Sequence, residues 1–104
     1  MINERINNLV ASINEMLTVA YADQPIKKQV RVSFGKRYAK LIDVYNGADR
    51  SAYGFVDLTN GNVLMPASWT APTKNGARSN VLDADYGLSG CDEYGVVYKN
   101  KRYV

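Results

Sequence analysis

Apolar residues recur at Ile2, Ile6, Leu9, Ile13, Met16 and Ala20, in steps of four and three that keep them on one stripe of a helix, widened by Val10 and Leu17. The opposite face carries Glu4, Asn7, Asn8, Ser12, Asn14 and Glu15. Tyr21 to Pro25 supplies the stop, because the residue before a proline avoids the helical region. The spacing predicts a helix over about residues 2 to 21. A helix this short needs burial to persist, so its stripe must pack on a sheet or on another copy of the chain.

After Pro25 the period changes to two. Val30, Val32 and Phe34 alternate with Arg31 and Ser33, and Gly35 permits a turn. Tyr38, Ile42 and Val44 share one parity of the next stretch and Ala39, Leu41 and Tyr45 the other, so this strand reads as buried on both sides. Asn46-Gly47-Ala48-Asp49 is the expected loop. Tyr53–Leu58 and Val63–Met65 flank Thr59-Asn60-Gly61-Asn62, a strong hairpin signal. From Pro66 to Gly90 no periodicity survives, and long irregular loops in compact domains tend to carry function. Tyr94–Tyr98 reads as a final strand, followed by a basic tail from Lys99 to Val104.

One helix followed by strands indicates an α+β fold: an N-terminal amphipathic helix, then a small antiparallel sheet of about five strands, with a long loop before the last strand. No repeat or linker divides the chain, so residues 1–104 form one domain, with 1–24 as an oligomerising helix and 29–104 as antiparallel sheet and ligand loop.

Composition narrows the chemistry. The 104 residues contain no histidine and one cysteine, Cys91. This excludes Ser-His-Asp and Cys-His catalysis, zinc sites of the Cys/His type and an intrachain disulfide. Asp83/Asp85 and Asp92/Glu93 lack the spacing of a calcium loop, and neighbouring acids would raise the Cys91 thiol pKa rather than activate it. The expectation is a binder rather than an enzyme, with no catalytic residues, no metal and no cofactor. No run of 18 apolar residues occurs, and Met1, Glu4 and Arg5 among asparagines do not form a secretion signal, so a soluble cytoplasmic protein is expected.

The net charge of +3 is modest, but its placement is uneven. Lys27, Lys28, Arg31, Lys36, Arg37 and Lys40 lie between Asp23 and Asp43 with no acid among them. Such a block either contacts phosphate or forms a solvated sheet edge that discourages pairing. The loop Pro66–Asn80 gathers Trp69, Lys74, Arg78 and Asn80, a mixture able to stack a base, hold phosphate and read polar edges. Trp69 either stacks on a ligand or plugs the core beneath the loop. Lys36, Arg37, Lys74, Arg78, Lys101 and Arg102 are the cations available to a diphosphate.

The run Tyr53–Trp69, with Ala71-Pro72 and Ala77-Arg78-Ser79-Asn80 after it, resembles a motif of small bacteriophage proteins. In these a hairpin leads into a Pro-Ala-Ser-Trp segment and an Ala-Arg-Gly-Asn-like turn. The helix, the small sheet and an aromatic residue followed by an asparagine are similar to the first family of Thoeris anti-defence proteins, oligomeric sponges that sequester cyclic ADP-ribose-type signals, and in some members cyclic oligonucleotides, without degrading them. This chain has one residue more between Trp69 and Asn80, and Ser79 where glycine is usual. The resemblance implies a phage anti-defence protein of the host cytoplasm, with Trp69 as base-stacking aromatic, Asn80 as ligand-reading asparagine and Arg78 nearby. It implies a small cyclic nucleotide as ligand and no membrane partner. The sequence then suggests a homo-oligomer built through the N-terminal helix, with ligand contacts from Trp69, Lys74, Arg78, Asn80, Arg37 and Lys101. The alternatives are a single-stranded nucleic-acid-binding phage protein, or an inhibitor or structural module acting by protein contact.

Overall fold

The computed structural model describes residues 1–74 and 76–97. Helix α1 (Ile2–Ala20) leads into β1 (Lys28–Phe34), β2 (Tyr38–Tyr45), β3 (Ala48–Asp57), β4 (Asn62–Leu64) and β5 (Ser79–Asn80). A single 3-10 turn (Leu88–Gly90) then precedes the short strands β6 (Cys91–Asp92) and β7 (Gly95–Val96). Among the described residues, β1 to β5 form one antiparallel sheet in sequence order, and β6 pairs with β7 in a separate ribbon. The fold is α+β, one helix before a five-stranded antiparallel sheet.

The helix buries the middle of the expected stripe inside its own chain, with Ile2 and Met16 half-buried, Ala20 exposed and Leu17 taking the last buried position. Ile6, Leu9, Ile13 and Leu17 are fully buried against Val30, Ala39, Leu41, Val56 and Val63. Each such side chain contributes about 1.5–3 kcal/mol by leaving water. The stripe expected to join copies of the chain therefore lies in the monomer's core, and what α1 shows to solvent is its margin, where Val19 is 76% exposed.

β2 is covered on both faces, as its two parities suggest: Ala39 and Leu41 face the helix, while Ile42 is buried on the other side. The β2–β3 connection is tighter than the expected four-residue loop. Asn46 and Gly47 alone make the turn, both with positive φ (51° and 87°), and β3 begins at Ala48. Register shifts between Leu41/Ile42 and Asp43/Val44 bend the long β2–β3 pair.

The segment 66–90 is an ordered series of turns rather than one open loop. Pro66 and Pro72 bridge, Ala67 and Ser68 amides donate to the Ala71 carbonyl, and Thr73 N donates to Met65 O. Downstream acids shape turns: Asp85 accepts from the Gly87 and Ser89 amides, and Asp92 from those of Tyr94 and Gly95. The fifth strand of the sheet is Ser79–Asn80, whereas the expected last strand contributes Gly95–Val96 to the ribbon. β3 docks that ribbon. The buried Tyr53 hydroxyl donates to Asp92 O at 2.6 Å, and Gly54 lets Val96 approach so closely that an added Cβ would meet its Cγ2 at 2.3 Å. Among the described residues, no helix is long and apolar enough to cross a membrane.

Candidate functional site

The sheet face away from α1 carries the site. Cross-strand register sets Ser33, Lys40, Phe55 and Leu64 side by side on that face, because the helix-side row contains Phe34, Ala39, Val56 and Val63. Gly35 begins the β1–β2 turn, whose amide donates to Tyr38 O at 2.9 Å, and this turn raises Lys36 and Arg37 at the end of the same face. Tyr38 meets Phe55 edge-on, with ring centroids 6.2 Å apart. A groove of about 330 Å³ runs between these elements, lined by Lys36, Arg37, Tyr38, Lys40 and Phe55 and closed at one side by Thr70. That volume lies at the lower end of small-ligand sites.

Trp69, at the tip of the Pro66–Pro72 hairpin, is 46% exposed, and its ring centroid lies 3.9 Å from Lys40 Nζ. Trp69 is therefore a surface ring beside a groove cation, and the core-plug alternative does not describe it. Arg37 lies with its guanidinium carbon 5.3 Å from the Tyr38 ring centroid and bonds Asp57 Oδ2 at 3.2 Å. Burial pushes the Asp57 carboxyl up, but the hydroxyl and amide of Thr59 and the Arg37 guanidinium outweigh it, and the carboxyl stays below its ordinary value. Among the described residues, neither Lys36 nor Lys40 is in an ion pair. The arrangement sets Lys36, Arg37 and Lys40 beside the Tyr38 and Trp69 rings, with Phe55 buried.

The rest of the basic block does other work. Lys28 is buried, donates to Glu93 O, lies 3.7 Å from Asp43, and has the rings of Tyr21, Tyr45 and Tyr94 within 5.9 Å. Arg31 makes a bidentate pair with Asp49, with bonds of 2.9 and 2.6 Å. The block is thus divided: Lys36, Arg37 and Lys40 line the groove, Lys27 is exposed, and Lys28 serves the core.

Of the expected site residues, the structure brings Arg37 and Trp69 to one place. Lys74 is exposed but does not line the groove. Arg78 donates to Val97 O at 2.8 Å and to Gly76 O, so its guanidinium ties the loop together. Asn80 stands on β5, at the edge of the sheet opposite β1, where it bonds Asn60 O, Asn62 Oδ1 and the Leu82 amide. Lys101, like Arg102, lies outside the described residues. Tyr38, Lys40 and Phe55 were missed as a unit, although the shared parity of Tyr38, Lys40 and Ile42 was a legible signal for one face.

Cys91 is buried and its thiol is pushed up to about 12, first by burial and then by neighbouring carboxylates, which leaves it a poor nucleophile. Among the described residues, no cluster of three acids or cysteines is placed to hold a metal.

A family model matches residues 2–99 of the chain. The protein belongs to DUF7717, a family of unknown function. Comparison with curated proteins and with solved structures gives no match.

Proposed function

We propose that this DUF7717 protein binds a small phosphorylated nucleotide in the Lys36–Lys40 groove and acts by sequestering it. The observation that carries the reading is one open groove in which Lys36, Arg37 and Lys40 alternate with Tyr38, Phe55 and the adjoining Trp69. Cations with multiple donors suit phosphate oxygens, and the exposed Trp69 ring and part-exposed Tyr38 ring suit a purine or pyrimidine face, while Phe55 is buried. The carboxylate paired with the groove's arginine, Asp57, is held by Arg37 and Thr59, which favours holding a ligand over proton transfer to it. With the resemblance to Thoeris anti-defence proteins, the ligand is a cyclic nucleotide immune signal of the cyclic ADP-ribose type, or a cyclic oligonucleotide. The protein would then work in the host cytoplasm of an infecting phage.

Native mass spectrometry with a panel of cyclic ADP-ribose isomers and cyclic oligonucleotides tests this, because one spectrum gives subunit count and bound mass. Binding of an intact nucleotide, lost on Lys40→Glu, is expected; a chain that ignores the whole panel overturns the reading. The same open face of cations and rings also suits single-stranded nucleic acid. A steep fall of affinity with salt and a footprint of several nucleotides would favour that polymer, whereas a small ligand gives a shallow slope and fixed stoichiometry.

A further inference from the structure

The free edge of the sheet is closed at one residue and open at the next two outward-facing ones. Among the described residues, β1 is bordered by β2 alone. Lys27 O accepts from Asn46 N and Gly35 N donates to Tyr38 O, so odd-numbered residues of this stretch face β2 and even-numbered ones face outward. At Val30 both outward groups are satisfied by one side chain: Asn14 Oδ1 accepts from Val30 N at 2.7 Å, and Asn14 Nδ2 donates to Val30 O at 3.0 Å. An asparagine amide is a peptide group in miniature, and here it reproduces the two rungs that a neighbouring strand would supply. Among the described residues, no side chain does this at Val32 or Phe34, and the Phe34 ring is 45% exposed. Open edges of this kind are templates for strand addition.

We propose that the Val32–Phe34 edge accepts an extended acidic segment of a partner protein as an added strand. Its main chain bonds the outward groups of Val32 and Phe34, its apolar side chains cover Phe34, and a carboxylate meets Lys36. Charge selects this occupant over a second copy of the chain. Arg31 and Arg37 are paired with Asp49 and Asp57, but Lys36 has no ion pair among the described residues. Pairing two copies antiparallel about Ser33 would set Lys36 of one opposite Val30 of the other, whose outward groups Asn14 already fills, whereas an acidic strand meets the Lys36 charge. This surface shares Lys36 with the groove, but it rests on the outward backbone groups of β1 and stands if the nucleotide reading fails.

The test is amide hydrogen exchange of the whole chain with an acetylated, amidated Val-Glu-Val-Glu-Val peptide and its Val-Lys-Val-Lys-Val counterpart. The glutamate peptide should slow exchange at Val32 and Phe34 by about tenfold at millimolar concentration, and the lysine peptide should not. Val32→Pro removes one outward donor without touching the β2 ladder and should abolish the effect. Lys36→Glu, at an exposed turn, should reverse the preference between peptides. Equal action of both peptides, no slowing by either, or slow exchange in the protein alone would overturn the proposal, the last because the edge would already be covered.

Discussion

Lys40 Nζ lies 3.9 Å from the centre of the Trp69 ring, so a cation on β2 and the tip of the 66–72 hairpin meet face to face. The contact anchors the hairpin over the groove while leaving the ring 46% exposed. Trp69→Ala should therefore cost only about 1 kcal/mol of stability, the scale of a surface cation–π contact. Nucleotide affinity should fall about tenfold or more, since stacking a base on an aromatic ring contributes about 1–3 kcal/mol. A melt and a titration on one sample check both. Unfolding of the variant would count against a ligand-facing ring.

Asp57 holds the groove's arginine in check. Asp57→Asn keeps an acceptor for the Thr59 amide, which now donates to Oδ1 at 2.9 Å, but removes the charge facing Arg37. Affinity for a phosphorylated ligand should rise about threefold at low salt and less at high salt, as expected for a screened charge. Calorimetry in two salt concentrations reads this, and an unchanged or weaker affinity at low salt speaks against phosphate at Arg37.

Ile13 is fully buried in the chain's own core. Ile13→Asp should unfold the monomer rather than release intact subunits, because an unpaired buried charge costs about 3–5 kcal/mol, comparable with the whole stability of a small domain. Circular dichroism with native mass separates the outcomes: a folded subunit of reduced mass would restore the stripe to an interface.

Two buried carboxyls should titrate with opposite signs. Burial pushes the Asp43 carboxyl up, and Lys28 and the Ser51 hydroxyl counter this only in part. A raised folded-state value favours the fold most below the ordinary value of 3.8, and that contribution is lost as pH rises through the folded-state value. Relative to the wild type, Asp43→Asn should therefore gain stability as pH rises through that window. Asp57 is held low, so its contribution is present above the ordinary value and lost as pH falls; Asp57→Asn should lose ground as pH rises. Urea midpoints at acid and neutral pH measure both slopes, and equal slopes would contradict the assignment.

Elements whose pattern repeats over short distances were legible from the amino acids alone. The four-three spacing of Ile2, Ile6, Leu9, Ile13, Met16 and Ala20 specified a helix and most of its buried face, with Leu17 rather than Ala20 closing the core, and alternation placed β1 and β2 with little shift. Burial of an apolar face dictates such periods wherever the partner lies, so they could not say whether α1 packs on its own sheet or on another copy. The groove needed the fold. Phe55 reaches Lys40 and Tyr38 by strand register, and Trp69 reaches Lys40 through a hairpin with no period. Arg78 and Asn80 carried the right chemistry in the sequence, yet backbone acceptors of neighbouring turns engage their donors. Asn14 looked like one more polar residue on the outer face of the helix, until the packing of α1 on β1 brought its amide to Val30. Local sequence determined the helix and the strands up to the 62–64 hairpin arm; long-range packing decided the short strands after it and which polar groups remain available to a ligand, because a side chain already satisfied within the fold gains little by binding anything else.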